Sequence, residues 1–496
     1  MRELGWWWRP WAWGSGAASN LVADEALLVI SDIHLGEDIL AGGPTHMADY
    51  IRALNLHLKQ FVAHHRLQAA EGRHWHLVVN GDMFDFVKVS VSPEGDDVAE
   101  VARASLQVDA IASILQNTPS NVVFKLRRIL EIHRPLFREL ARFLAAGHRI
   151  TIIEGNHDAE FYFPQVREAL RAELVRLSGV PAGDAQSDLA ARLEFRSWFL
   201  ARPGHYHIEH GHQYDEYCSF EYNLAPLAGA DSEVLATPLS HRPMPFFAEL
   251  LGDFSTHDVG HWPVRRTLGF LRQLGARTAL LLGRTYFLVG WRLLAEARQK
   301  NRQVRHLWAA RHQEALAALG NEGIYKPAVL QALDRLKALP AEVVLGKIVH
   351  LFWLDRVLLA LALLAVLPMV AACCGGRGAG LTLAAGLTLM AVMSSRTRSD
   401  LGQVLRLAAA RVADLSGAPL VVFGHSHLPE AVPLRERFGV GRFGSRPLYC
   451  NSGSWVTREI LLGAQGRGMT YVEVAAGGAR LLRWTGPNSP PQQVQS

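Results

Sequence analysis

Five short stretches of the chain carry side chains that bind divalent cations through nitrogen and oxygen. Ser31-Asp32-Ile33-His34 sets a carboxylate and an imidazole two residues apart, which in an extended segment puts both on one face. Gly81-Asp82 has Asp85 close behind, and Gly155-Asn156-His157-Asp158 joins an amide, an imidazole and a carboxylate. His210-Gly211-His212 and Gly424-His425-Ser426-His427 each repeat an imidazole at the same two-residue spacing. Such mixed donors suit Mn²⁺, Fe or Zn²⁺ rather than Ca²⁺ or a thiolate-bound structural zinc. The four cysteines, Cys218, Cys373, Cys374 and Cys450, have no metal-finger spacing, and their usage fits a reduced, cytosolic setting. With 22 histidines in the chain, a single His in a turn is more often a surface group than a ligand. The weight lies in the set, because all five stretches end predicted strands, the edge where open α/β sheets gather ligands. His64-His65, His241, His257 and His261 fall outside the set and read as structural or solvated.

The elements that must position these groups follow from periodicity. Strands are expected at Ala26–Ser31, His74–Asn80, Arg149–Glu154 and Tyr206–Glu209, and again late, at Pro419–Phe423, Pro447–Asn451, Thr470–Val474 and Arg480–Trp484. Helices are expected at Met47–Ala70, Asp97–Leu115 and Val122–Ala146. The pattern is α/β, and a chain of 496 residues has room for a large core and more than one domain. Residues 26–225 and 400–486 read as two parts of one domain. They are split by a helical insertion at 226–399 and flanked by a Trp-rich tail at 1–25 and a disordered tail at 487–496.

The insertion is basic, then apolar. Trp262–Arg311 holds eleven Lys or Arg against Glu296 alone, while the whole chain carries only +5, so something anionic is expected to meet this window. Two uncharged runs follow, Val357–Cys374 and Ala379–Ser395, joined at Gly375–Gly378. Each nears the ~20 apolar residues a spanning helix needs, and together (residues 357–395) they predict a membrane hairpin. Lys347, Arg356, Arg396 and Arg398 on its flanks place the rest of the chain on the cytoplasmic side of an inner (cytoplasmic) membrane. The alternative is a hairpin buried in a soluble core. Thr278–Leu294, interrupted by Arg284 and Arg292, reads as an interfacial helix on anionic lipid. The tryptophans of the N-terminal tail also suit a membrane surface, with a disordered tail as the alternative reading.

The ordered set Asp-x-His, Gly-Asp, Gly-Asn-His-Asp, His-Gly-His and Gly-His-x-His, followed by Asn451-Ser452-Gly453-Ser454, resembles the calcineurin-like metallophosphoesterases over residues 26–225 and 400–486. Gly81-Asp82-Met83-Phe84-Asp85 and the expected membrane placement look most like the UDP-diacylglucosamine pyrophosphohydrolases of lipid A synthesis. In that subgroup Arg often follows the Gly-Asn; here the residue is His157. The resemblance implies a layered β-sandwich flanked by helices and a centre of two divalent ions, Mn²⁺ first, with Fe or Zn²⁺ as alternatives. It implies Asp32, His34 and His427 at one ion, Asp82 bridging, and Asn156, His210 and His425 at the other. A hydroxide between the ions would attack phosphorus in line, Asn156 would stabilise the phosphoryl oxygens, and His157 would protonate the leaving group. Asp158 would orient His157 or cap the next helix, and His212 and Asp215 would contact substrate. The expected function is a phosphoesterase acting on a phosphate ester or pyrophosphate of a lipid-linked or membrane-proximal substrate. The competing readings are a nuclease or nucleotide phosphodiesterase that uses the basic window, and a noncatalytic membrane scaffold. Membrane lipid is favoured over nucleic acid as partner, because the window mixes its arginines with Leu, Phe and Trp just upstream of the hairpin.

Overall fold

The computed structural model describes residues 26–36, 47–87, 89, 117–228, 233–238, 240–241, 284, 291, 302–351, 354–395, 400–434, 446–456, 468–475 and 478–494. The Trp-rich tail, the expected helix at 97–115, the basic window before residue 302, the interfacial helix at 278–294, Arg396, Arg398, His257 and His261 lie outside them, Arg284 and Trp291 excepted.

Two mixed sheets form the centre of the molecule. The first has seven strands in the order β12-β11-β10-β1-β2-β3-β4, built from β1 (Ala26–Ile30), β2 (Trp75–Asn80), β3 (Arg149–Ile153), β4 (Leu193–Arg196), β10 (Thr470–Ala475), β11 (Gly478–Arg483) and β12 (Gln492–Gln493). The second has five strands in the order β5-β6-β7-β9-β8, from β5 (Phe199–Arg202), β6 (Tyr206–Glu209), β7 (Leu420–Phe423), β8 (Glu430–Pro433) and β9 (Leu448–Asn451). β1 to β4 run parallel, as do β6, β7 and β9, and antiparallel strands finish the edges.

Alternation along the strands builds the layers. Leu27, Val29, Val78, Ile153, Val472 and Val474 of the first sheet meet Ile208, Leu420, Val422 and Cys450 of the second. The opposite face of the first sheet, with Leu28, Ile30, Leu77 and Ile152, packs on α1 (Met47–Leu67), α2 (Pro119–Ile132), α3 (Arg134–Ala145) and α4 (Pro164–Ser178). The outer face of the second sheet, with Val421, Phe423 and Tyr449, is covered by α6 (Arg302–Asn321), α7 (Pro327–Asp334) and α10 (Leu401–Ser416); the short α5 (Asp184–Ala191) precedes β4. The result is a helix–sheet–sheet–helix sandwich.

Three expectations change. The helix expected over Val122–Ala146 is two, broken at His133, because Pro135 has no N–H to give and its ring would strike the carbonyl four residues back. Residues 487–494 are no disordered tail: Gln492–Gln493 pairs with β11, and Val494 N–H donates to Leu481 O. The insertion is not wholly separate from the split domain either, since α6 and α7 supply part of the sandwich's outer layer.

After α8 (Leu345–Leu351) comes α9 (Leu354–Ser395), interrupted at Gly375, where φ is 70° and ψ −177°. Its halves fold back on each other: a Cβ on Gly386 would come within 2.5 Å of Leu363, and these two residues flank Gly375 almost symmetrically. The Leu354–Val392 stretch is long and apolar enough to cross a membrane, and the apolar window within it is not buried. Leu358, Leu361, Leu364, Met369 and Leu381 are all more than half exposed.

Candidate metal centre

Parallel pairing brings the five motifs to one end of the sandwich. The loops after β1, β2 and β3 leave the first sheet beside those after β6 and β7 of the second, and backbone bonds lace them together. Asp32 N–H donates to Gly81 O, His34 N–H to Asp82 O at 3.0 Å, and Gly424 N–H to His210 O at 3.0 Å. Among the described residues, six non-glycine residues take a left-handed φ, and five of them are Asp32, His34, Asp82, His425 and His427, between 53° and 67°. A side chain there is strained by ~1–2 kcal/mol and persists only where its surroundings over-determine it. Crowding explains the glycines beside these groups. A Cβ on Gly155 would lie 2.1 Å from Asp82 Oδ1, and one on Gly81 2.3 Å from the His210 ring.

The side chains converge. Asp32 Oδ1 faces His427 Nε2 at 3.2 Å, and His427 Nε2 lies 3.2 Å from His34 Nε2. Asp82 Oδ2 sits 3.8 Å from His34 Nε2 and 3.2 Å from His210 Nε2. His210 Nδ1–H donates to Asn80 O at 2.8 Å, which turns its Nε2 toward Asp82 and Asn156 Oδ1, 3.2 Å away. Asp32, His34 and His427 form one group able to hold a metal ion, Asp82, His210 and His425 a second, and His34, Asp82 and His157 a third; within each, the ligand atoms lie within 4.8 Å of one another. Asp32 is fully buried, with His427 beside its Oδ1. Imidazole nitrogens, carboxylate oxygens and an amide oxygen gathered within ligand distance of one another are a donor set that fits a divalent metal.

The electrostatics agree. Burial opposes charge on Asp82, yet His210 and His157 hold its carboxyl well below the usual range. Burial likewise opposes charge on Asp32, and His427 brings it down. Without metal, Asp82 outweighs burial at His210 and pushes that imidazole up to about 10. The field that holds a proton there is the field that would hold a cation.

Behind these groups, the roles fall differently from expectation. Asp158 does not meet the His157 ring: its carboxylate accepts from the N–H groups of Met83 at 2.7 Å, Phe84 at 3.3 Å and Gly155 at 2.7 Å, tying the second and third loops together. Nor does it cap the short 3-10 turn that follows. Burial, with Asp82 adding, pushes it up to about 7. Asp85 takes the place expected for Asp158, with Oδ1 3.2 Å from His157 Nδ1 and Oδ2 3.3 Å from His34 Nδ1. Asp215 binds His425 Nε2 at 3.1 Å and forms a further group with Cys218, so it supports the centre. His212 is buried beside His210, and burial holds it well below the usual imidazole range.

His241, read from the sequence as structural or solvated, is in the site. It is buried, accepts from Asn156 Nδ2 at 3.1 Å, and packs its ring 4.3 Å from that of His157. No motif signals it, since it stands alone in the insertion. The hairpin's root also reaches this end of the molecule. Ala338 N–H donates to Gln213 O at 2.8 Å, Ala341 N–H to Glu216 O at 2.7 Å, and Lys347 pairs with Glu216, next to Asp215. No family model matches the chain, and no curated protein matches it.

Proposed function

We propose that this protein is a metal-dependent phosphoesterase of the calcineurin-like kind, hydrolysing a phosphate ester or pyrophosphate of a lipid-linked or membrane-proximal substrate. The observation that carries the reading is the convergence of Asp32, His34, Asp82, Asn156, His210, His425 and His427 from five strand ends. Asp32, His34 and His427 would hold one divalent ion, Asn156, His210 and His425 another, and Asp82 would serve both; Mn²⁺ is the first candidate, with Fe or Zn²⁺ next. When bound, two such ions supply a water of lowered pKa and positive charge for the phosphoryl oxygens. Asp82, as the shared anion, offsets the repulsion between them. Asn156 aids charge stabilisation at phosphorus. His157, with Nδ1 on Asp85, would give a proton from Nε2 to the leaving oxygen.

The exposed hairpin supports the membrane half of the reading. Each half of α9 has about 20 residues, roughly 30 Å at 1.5 Å per residue, enough for a hydrocarbon core. Both ends then emerge on one face of an inner (cytoplasmic) membrane, with the metal centre in the cytoplasm. The root's bonds to residues 213–216 support a centre held near the bilayer.

The test is hydrolysis by purified protein in detergent with Mn²⁺, using an aryl phosphate, its diester and nucleotide-linked lipids, with products identified by mass. Metal-dependent release of phosphate or a phosphomonoester is expected. His157→Ala should lower kcat by ~10²–10⁴ on poor leaving groups and less on the aryl phosphate. No turnover across the panel, or an equal loss on good and poor leaving groups, counts against the assignment.

A further inference from the structure

Asn156 is a ligand only if its amide is turned the right way. Its Oδ1 must face His210 and Asp82; rotated by half a turn, the amide would present N–H groups to a cation. The two orientations are nearly equal in shape, so a hydrogen-bond partner must choose between them. His241 Nε2, 3.1 Å from Asn156 Nδ2, is such a partner, because a lone pair there accepts from the NH₂ and leaves Oδ1 toward His210 Nε2 at 3.2 Å. The position is built. Ser240 N–H donates to Tyr217 O at 3.0 Å, His241 N–H to Pro238 O at 3.0 Å, and the Ser240 hydroxyl lies 3.3 Å from Cys218 Sγ. Tyr217 and Cys218 follow Asp215, which itself holds His425, so the segment bearing His241 is anchored to the loop behind another candidate ligand.

We infer that His241 is a positioning residue for the metal centre, contributed by the insertion, which fixes the Asn156 amide with its oxygen toward the ion. The inference rests on the dinuclear reading and extends it to a part of the chain that the motifs do not reach. Groups that orient a ligand typically change metal affinity by ~10–100-fold when removed.

The experiment is titration of metal-stripped full-length protein in detergent with Mn²⁺ alone, followed by electron paramagnetic resonance and elemental analysis. His241→Phe keeps a ring against His157 but removes the acceptor, and it should weaken one of two Mn²⁺ ions by ~10–100-fold. His241→Gln, which restores an acceptor, should recover most of that affinity. In an Asn156→Asp background, where either carboxylate oxygen can face the ion, His241→Phe should cause no further loss. If His241→Phe does not fold, judged by circular dichroism of the metal-free protein, His241→Leu against His241→Gln makes the same comparison. Wild-type affinity in the acceptor-free variant, or a loss undiminished in the double variant N156D/H241F, overturns the inference. A wild-type protein that does not take up two Mn²⁺ ions overturns the dinuclear reading itself, before any variant is compared.

Discussion

At the scale of single residues, Asp82 is the most constrained group in the centre. It holds a left-handed φ of 53°, accepts from His157 N–H through Oδ1 at 2.8 Å, and faces His210 and His34 through Oδ2. Asp82→Ala should therefore lose both ions, whereas His34→Ala should mainly weaken one; elemental analysis of the purified variants decides, and full occupancy in Asp82→Ala would remove Asp82 from its proposed role. The ligand candidates were legible because Gly-Asp, Gly-Asn and Gly-His pairs mark places where a loop must turn beside a neighbour, and the 2.1 Å approach of Asp82 to Gly155 is the physical content of that signal. The supporting residues were less legible. Asp85 and Asp158 are equally close to their motifs in sequence, and only the fold decides that one faces two imidazoles and the other three backbone N–H groups. His241 carried no sequence signal, since a lone histidine far from any strand end is usually a solvated one.

At the scale of elements, strand positions were read well where β-branched runs end at the site, as in β1, β2, β3, β6 and β7. The misses are short edge strands. β4 and β5 have four residues each, are separated only by Ser197-Trp198, and belong to different sheets, a switch that no periodicity of two reveals. Helix α1 offers a test remote from the candidate metal centre. In its last turn His65 Nδ1–H donates to Phe61 O at 2.9 Å, and the ring packs among Phe61, Trp75, Tyr471 and Trp484. Burial holds this imidazole down to about 3, against about 6.5 when unfolded. Between these values the unfolded chain binds the proton and the folded one does not. The stabilising difference is present above pH 6.5 and is lost as pH falls, by up to about 1.4 kcal/mol per pH unit. Thermal melts of His65→Phe from pH 7 to 4 should show a shallower decline than wild type; parallel curves would exclude His65 as a source of acid sensitivity.

At the scale of the whole molecule, the prediction concerns α9. Apolar helices transferred into lipid gain ~25 cal/mol per Å² of buried surface, so the full-length protein should stay with membranes through alkaline carbonate extraction. Replacing Val357–Ser395 with a short Gly/Ser bridge removes no candidate ligand. It should therefore spare hydrolysis of a soluble aryl phosphate while reducing activity on a lipid substrate in vesicles. Release of the full-length protein by carbonate, or a deletion variant that still needs detergent, would rule out a spanning hairpin. The hairpin's place in the chain also sets a sequence of events during synthesis. β7 and β9, which finish the second sheet beside β6, and β10, which pairs with β1 in the first, are all made after α9, and so are His425 and His427. Chains fold as they emerge, N-terminal parts first. The nascent protein thus has no complete sheet and an unfinished set of candidate metal ligands until its apolar hairpin is already out of the ribosome. On the proposed membrane reading, anchoring would precede assembly of the centre, and a metal-loaded but unanchored molecule would not be an intermediate on that route.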